Sequence, residues 1–422
     1  MVKKIKMSNK YKIPLVYDTF ESKVDLREKL AEFIKNTDRL SMNGECIKCE
    51  AALSKKFGSK HAVLFNSGGS ANFALLQALK NLGKIKSGDN VGFSSLTWST
   101  NVSPIIQMDL NPIAIDCEPF SFNIGVGAIR AAYNKYGFKV LFITNALGVC
   151  NDIEQIAKFC SENDIILLED NCESLGAKYN NKYLGTFGLA GTLSFYVSHQ
   201  MSTIEGGAVL TGDKKLYDML KIVRSNGWGR DLDKKTLDKL CSCAKIDPDE
   251  TDFTFFDIGF NLRPTEITAF LCQEQLKIID ETISDRNGVF YEFMSQSIPY
   301  RFTEFIYPKF YEQYINRKLD ISAFCFPIVC KSERVKNETV KELEEKGIQT
   351  RPIISGNITK QPFFKKYCKT EFNLPTTNLI NDGGFYFSCS PFSWGCDKNG
   401  VNFEIFNYFR DILIDLADKL SS

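Results

Sequence analysis

Ala62-Val63-Leu64-Phe65-Asn66-Ser67-Gly68-Gly69-Ser70-Ala71-Asn72 runs from a short apolar segment of strand character, through small polar residues, into a stretch whose apolar residues keep helical spacing as far as Asn81. The same change of period recurs downstream. Further strands are expected at 90–93, 112–116, 140–144, 165–169, 191–196 and 208–211, and 153–163 has the spacing of a helix. Strands alternating with helices from about Ser59 to Leu210 predict an α/β fold, a mostly parallel seven-stranded sheet between layers of helices. Ligands of such sheets sit outside the carboxyl ends of the strands. That rule gathers Ser67, Gly68, Gly69, Ser70, Trp98, Asp170 and Ser194 as candidates.

Beyond the sheet region, 265–284 reads as one long helix, 321–329 as a strand and 403–420 as a closing helix. We expect a large domain over 1–285 and a smaller α+β domain over 286–422. With 422 residues the chain can bury a core of that size.

Lys and Arg (52) balance Asp and Glu (51), leaving a formal charge of +1, so no basic footprint for nucleic acid exists. No stretch approaches a membrane span, and the basic start Met1-Val2-Lys3-Lys4-Ile5-Lys6 lacks the apolar run of a signal peptide. A cytoplasmic protein is expected. Several of the 14 cysteines fall inside apolar runs, as free buried thiols do in a reducing compartment. Cys46-Ile47-Lys48-Cys49 has no second CxxC to complete a zinc site and reads as a helix with cysteine at i and i+3; no metal is expected.

Small residues at Gly68, Gly69 and Ser70 let backbone N–H groups approach a phosphate where a helix begins, although a plain strand-to-helix turn has the same appearance. Asp170 closes Ile165-Ile166-Leu167-Leu168-Glu169 and can hold a pyridine nitrogen protonated; the alternative is a helix cap. Trp98 taken alone suits a core.

Ser194-Phe195-Tyr196-Val197-Ser198-His199-Gln200-Met201-Ser202-Thr203-Ile204-Glu205-Gly206-Gly207 resembles the cofactor segment of the nucleotide-sugar aminotransferases of the DegT/DnrJ/EryC1/StrS family. Order and spacing match that family from about residue 28 to about residue 390. The resemblance implies an aspartate aminotransferase-like (fold type I) enzyme. In the family a lysine at position 199 forms the Schiff base, whereas no lysine occurs here between Lys182 and Lys214. Family members with histidine at this position are sugar 3-dehydratases, and the chain resembles that branch.

Several roles follow from the resemblance. Trp98 stacks on the cofactor, Asp170 meets the ring nitrogen, Glu173 stands where aminotransferases place a glutamine, and Ser194 binds the phosphate. Asn261, in Gly259-Phe260-Asn261-Leu262-Arg263-Pro264, reaches a neighbouring subunit's phosphate, which implies a homodimer with shared active sites. Thr350-Arg351-Pro352-Ile353-Ile354-Ser355-Gly356-Asn357 resembles a substrate-facing motif, making Arg351 and Asn357 candidate sugar-nucleotide ligands.

The implied cofactor is noncovalent pyridoxamine 5′-phosphate, regenerated from pyridoxal 5′-phosphate with L-glutamate. His199 would act as the base that drives loss of the C3 hydroxyl from a nucleotide-linked 4-keto-6-deoxy sugar, GDP being the first expectation, to yield a 3,6-dideoxy-4-keto sugar and ammonia. An unperturbed imidazole near pH 6.5 suits that task. Two alternatives share the fold. One is an iron–sulfur dehydratase acting on a CDP sugar with a separate reductase, for which Cys172, Cys241 and Cys243 offer three ligands but Thr251 stands at the fourth position. The other is a sugar aminotransferase working without its lysine.

Overall fold

The computed structural model describes residues 11–21, 24–118, 121–295, 305–306, 318–395, 407–408, 411–412 and 414–415. In chain order the strands are β1 (His61–Phe65), β2 (Asn90–Ser94), β3 (Asn111–Ile115), β4 (Val140–Thr144), β5 (Ile166–Asp170), β6 (Lys178–Tyr179), β7 (Lys182–Tyr183), β8 (Ala190–Ser194), β9 (Gly207–Thr211), β10 (Phe305–Ile306), β11 (Leu319–Asp320), β12 (Cys325–Cys330) and β13 (Gly384–Ser388). Seven of them form one sheet in the order β1-β9-β8-β5-β4-β2-β3. All pairings from β8 to β3 are parallel, while β9 runs against both β8 and β1. Each of the seven expected strands is present within one or two residues of its place. Val140–Thr144 and Ala190–Ser194 are buried throughout, as strands covered on both faces must be.

Helices α1 (Leu26–Asn36), α2 (Gly44–Phe57), α3 (Gly68–Asn81), α4 (Ser99–Gln107) and α5 (Val126–Tyr136) come first. They are followed by α6 (Ile153–Glu162), α7 (Lys214–Arg224), α8 (Lys234–Ala244), α9 (Glu266–Leu276) and α10 (Ile279–Ser295). Capping fixes their starts. Ser67 accepts from the Ser70 N–H to open α3, and Asp152 accepts from Gln155 to open α6. Asn43 makes no side-chain cap for α2; the carboxylate of Glu266 accepts instead from the N–H groups of Asn43, Glu45 and Cys46. Cys46 and Cys49 both lie buried on α2, one turn apart.

Two expectations are corrected. The single helix over 265–284 is two, α9 and α10, separated at Lys277 and Ile278. Gln275 at the end of α9 exchanges hydrogen bonds with the backbone of Ser202, which fixes where α9 stops beside the His199 segment. The strand expected at 321–329 begins only at Cys325, because the carbonyls of residues 321–324 are taken by side chains instead of a neighbouring strand. The helix expected at 403–420 lies mostly outside the described residues; those described within it are helical.

β12 is flanked by β10 and β13 in a second, antiparallel sheet. Helix α10 runs through the boundary expected at 285/286, and its Phe290 and Phe293 pack on Phe326, Phe387 and Trp394. One apolar cluster joins Ile115, Leu141 and Ile143 of the large sheet region to Phe326, Phe385 and Trp394. A second bond between the two parts is polar. Asp116, just past β3, accepts from the N–H of Thr376 (3.0 Å) and of Thr377 (2.8 Å) in the first turn of the helix Pro375–Gly383, and from the Thr377 hydroxyl.

Candidate active site

The site is assembled where β5 and β8 end and α3 begins. Gly68 leaves no room for a side chain: a Cβ there would stand 2.6 Å from Ser194 Cβ, 2.9 Å from Ser194 Oγ and 3.1 Å from Cys172 Sγ. A Cβ on Gly69 would meet Thr100 at 2.9 Å. The amides of Gly68 and Gly69 lie in the first turn of α3, where a helix has no acceptor of its own and its dipole favours an anion. Gly69, Ser70 and Ser194 are therefore brought together around a backbone suited to a phosphate.

Asp170 ends β5 in a buried position. Its Oδ2 accepts from Asn72 Nδ2 at 2.8 Å and its Oδ1 from the Cys172 N–H at 2.8 Å. Both donors hold the carboxylate rigid, and the second is part of the turn that follows the strand. Three residues after Asp170, burial pushes the Glu173 carboxyl up to about 7, against the Leu147 N–H that donates to it at 2.9 Å.

His199 follows in a turn in which its N–H donates to the Tyr196 carbonyl. Its Nδ1 atom is buried with no hydrogen-bond partner among the described residues. The imidazole stands edge-on to Phe324, with ring centroids 5.4 Å apart, and to Tyr196 at 6.1 Å. Burial lowers its pKa to about 4; the Cys172 backbone pulls upward, the charge of Arg286 pushes further down, and the Ser194 backbone pulls upward again. The expectation of an unperturbed imidazole is thus corrected: in this pocket the ring is neutral well below pH 7.

Trp98 is 54% exposed at the N-terminal boundary of α4, so it is no core residue. The 350–362 motif docks beside it, through Ser355 Oγ donating to the Thr97 carbonyl (2.5 Å) and the Ile358 N–H to the Ser95 carbonyl (3.2 Å). Arg351 is exposed and its backbone pairs with Tyr386. Asn357 is turned inward. Its amide donates to Asn378 and its carbonyl oxygen accepts from the Thr359 N–H and hydroxyl, so in this structure its side chain braces the motif.

Asn261 shares none of these contacts. It is exposed, accepts from Arg263 Nε at 3.1 Å, and borders a cleft with Arg39, Ser225, Arg230 and Asp231. Cys172 lies against Gly68, while Cys241 is buried on α8 and Cys243 exposed. Among the described residues no group of three or more His, Cys, Asp or Glu is arranged to hold a metal ion.

Sequence reasoning missed three contributors. Asn72 carries no motif of its own yet fixes Asp170. Leu147 takes a left-handed backbone, φ 62°, that aims its N–H at Glu173. Tyr386, more than two hundred residues from Glu173, has its hydroxyl held above the usual range by burial, with Glu173 raising it further and Arg351 opposing. Only the fold brings these three to the site. The glycine cradle, the anchored carboxylate and the unpartnered imidazole fit a phosphorylated pyridine cofactor.

Fold and site are of the aspartate aminotransferase kind, in which a phosphorylated pyridine is seated at the carboxyl ends of the strands. The chain belongs to the DegT/DnrJ/EryC1/StrS aminotransferase family, which it matches over residues 22–391. It is 32% identical over 417 residues to the GDP-4-keto-6-deoxy-D-mannose 3-dehydratase of Escherichia coli O55:H7, covering 95% of this chain and 99% of the relative. It is 35% identical over 331 residues to the Yersinia pseudotuberculosis protein of the same name, covering 77% and 81%. Among solved structures, the E. coli GDP-4-keto-6-deoxy-D-mannose-3-dehydratase with bound hydrated PLP superposes with a TM-score of 0.82 at 28% identity, covering 96% of this chain and 99% of that one.

Proposed function

We propose that the chain is a pyridoxal/pyridoxamine phosphate-dependent 3-dehydratase of a nucleotide-linked 4-keto-6-deoxy sugar, with His199 as its base and L-glutamate as amino donor. GDP is the nucleotide in the names of both relatives described above. The observation that carries this reading is His199 itself. A neutral, half-buried imidazole occupies the segment between Lys182 and Lys214, where no lysine is available to bind the cofactor covalently.

When bound, the cofactor supplies an amine for the substrate ketone and a ring that accepts electrons. The chain's own residues do the rest. Gly69, Ser70 and Ser194, with the first turn of α3, hold the phosphate; Asp170, fixed by Asn72, holds the ring nitrogen protonated; Trp98 covers one face. His199, uncharged near pH 7, is ready to take a proton from carbon. Glu173 near its midpoint at neutral pH can donate or accept at the ring hydroxyl. Arg351 meets the diphosphate or sugar, and Asn357 keeps the motif bearing Arg351 in place. Asn261 serves a second copy's phosphate across a homodimer, in a cytoplasmic enzyme.

The test mixes the protein with cofactor, glutamate and GDP-4-keto-6-deoxymannose, then follows ammonia and product mass. Ammonia with a deoxygenated ketone supports the reading. An amino sugar, or no ammonia, overturns it.

A further inference from the structure

Residues 321–324 cross behind the site as a strap that belongs to no strand. Their four carbonyls are all claimed by side chains. Asn287 Nδ2 donates to Ile321 (2.9 Å), Gln200 Nε2 to Ser322 (3.0 Å), Arg286 Nε to Ala323 (2.8 Å) and Arg286 Nη2 to Phe324 (2.5 Å). Gln200 also donates to the Glu173 carbonyl, so the strap, the turn after β5 and the residue following His199 are stitched together.

Arg286 stands out among these donors. A guanidinium loses hydration on burial, and this one is buried, with Glu21 Oε2 at 4.0 Å from Nη1 as its counter-charge. Neutral side chains could have made its two carbonyl bonds. Its position explains its presence: Arg286, Glu21 and His199 line one small cavity of about 40 Å³, and the carbonyl it grips belongs to Phe324, whose ring faces the imidazole.

The direction of a histidine ring is ordinarily set by the hydrogen bond its other nitrogen makes, because rotation about the last side-chain bond is otherwise soft. Nδ1 of His199 makes none among the described residues. Beside the backbone of Cys172 and Ser194, packing against the two aromatic neighbours therefore helps to set the ring's direction. Of its two aromatic neighbours, Tyr196 is 44% exposed and Phe324 only 7%, so Phe324 is the fixed wall.

We propose that Arg286 is a positioning residue for the reaction: by clamping the carbonyls of Ala323 and Phe324 it holds Phe324 edge-on to His199 and so aims the imidazole. This rests on His199 being the base. The ionisable groups that line this cavity with His199 are Glu21, Glu281, Asp285 and Arg286, and the positive charge of Arg286 also favours the uncharged ring.

With only two histidines, the full-length protein reports on this directly: the imidazole signals of His199 can be followed by NMR with His61 as internal control. In Arg286→Met, kcat should fall about 10- to 100-fold, the size of a loss of aim and not of chemistry. KM for the sugar nucleotide and retention of cofactor should change by less than about 2-fold. The His199 ring signals should shift or broaden while those of His61 stay fixed. Phe324→Leu should reproduce both changes, and Arg286→Lys should recover part of the rate.

Wild-type kcat in Arg286→Met, or unmoved His199 signals, overturns the proposal. Should that variant fail to fold, Arg286→Lys and Phe324→Leu decide, and unchanged rates and ring signals in both overturn it equally. Failure of the underlying reading is distinct: His199→Asn would keep its turnover, while the imidazole signals of the native chain would still answer to Arg286→Met.

Discussion

The main-chain N–H of Leu147, held at φ 62°, donates at 2.9 Å to Oε2 of Glu173. That single donor does not offset burial, and the carboxyl is pushed up to about 7. A carboxyl raised in the fold contributes stability that is full below about pH 4.5 and is lost as pH rises through about 7. Glu173→Gln keeps an acceptor for Leu147 and cannot ionise. In cofactor-free protein it should be more stable than the parent by on the order of 1–3 kcal/mol at pH 8, with the gap closing toward pH 4.5. Thermal melts at the two pH values check this.

His199 has the opposite sign. Its ring is favoured neutral in the fold, so its contribution is full above about pH 6.5 and is lost as pH falls through about 4. His199→Asn should flatten the acid side of the stability profile by on the order of 1–3 kcal/mol. The same change should lower dehydratase turnover at least about 100-fold if the imidazole is the base. Denaturant titrations at pH 4.5 and 7 and a stopped assay separate the two effects.

Gly68→Ala pushes a methyl group into Ser194. Overpacking of that kind costs about 1–3 kcal/mol, and it also displaces the cradle, so the cofactor should wash out on dialysis at least about tenfold faster. Ser194→Ala removes one hydroxyl and should weaken retention with little change in melting temperature. Absorbance of the retained cofactor against melting temperature distinguishes the pair.

Asp116→Ala removes an N-terminal cap supplied from the far side of the molecule. Two helix N–H groups and the Thr377 hydroxyl lose their acceptor, a loss of about 1–3 kcal/mol. Asp116→Asn, which keeps one acceptor, should lie between. Urea midpoints for the three proteins measure it.

The sheet and much of the candidate site could be read from the sequence because their signals are local. Runs such as Val140-Leu141-Phe142-Ile143 have the character of strands buried on both faces, and Asp170 and Ser194 stand at strand ends where α/β ligands collect. His199 was conspicuous through the lysine it replaces. What stayed hidden was long-range. The division between α9 and α10 carries no glycine or proline and coincides with Gln275 bonding to Ser202. The strap at 321–324 looks like the start of a strand until Arg286 and Asn287 take its carbonyls. Asn72 and Tyr386 gain meaning only through partners distant in the chain, and the pKa of His199 is set by burial, which spacing does not report.

Because β9 runs against β8, the segment bearing His199 leaves and re-enters the sheet at the same end of two adjacent interior strands, with Ser194 paired to Gly207 and the Phe195 N–H bonded to the Gly206 carbonyl. It is a bow clamped at both tips. A side chain at its crest can be exchanged without disturbing register, whereas lengthening or shortening the bow would swing the crest away from the rest of the pocket. The frame around position 199 is thus set by its two flanking strands and not by the side chain it carries.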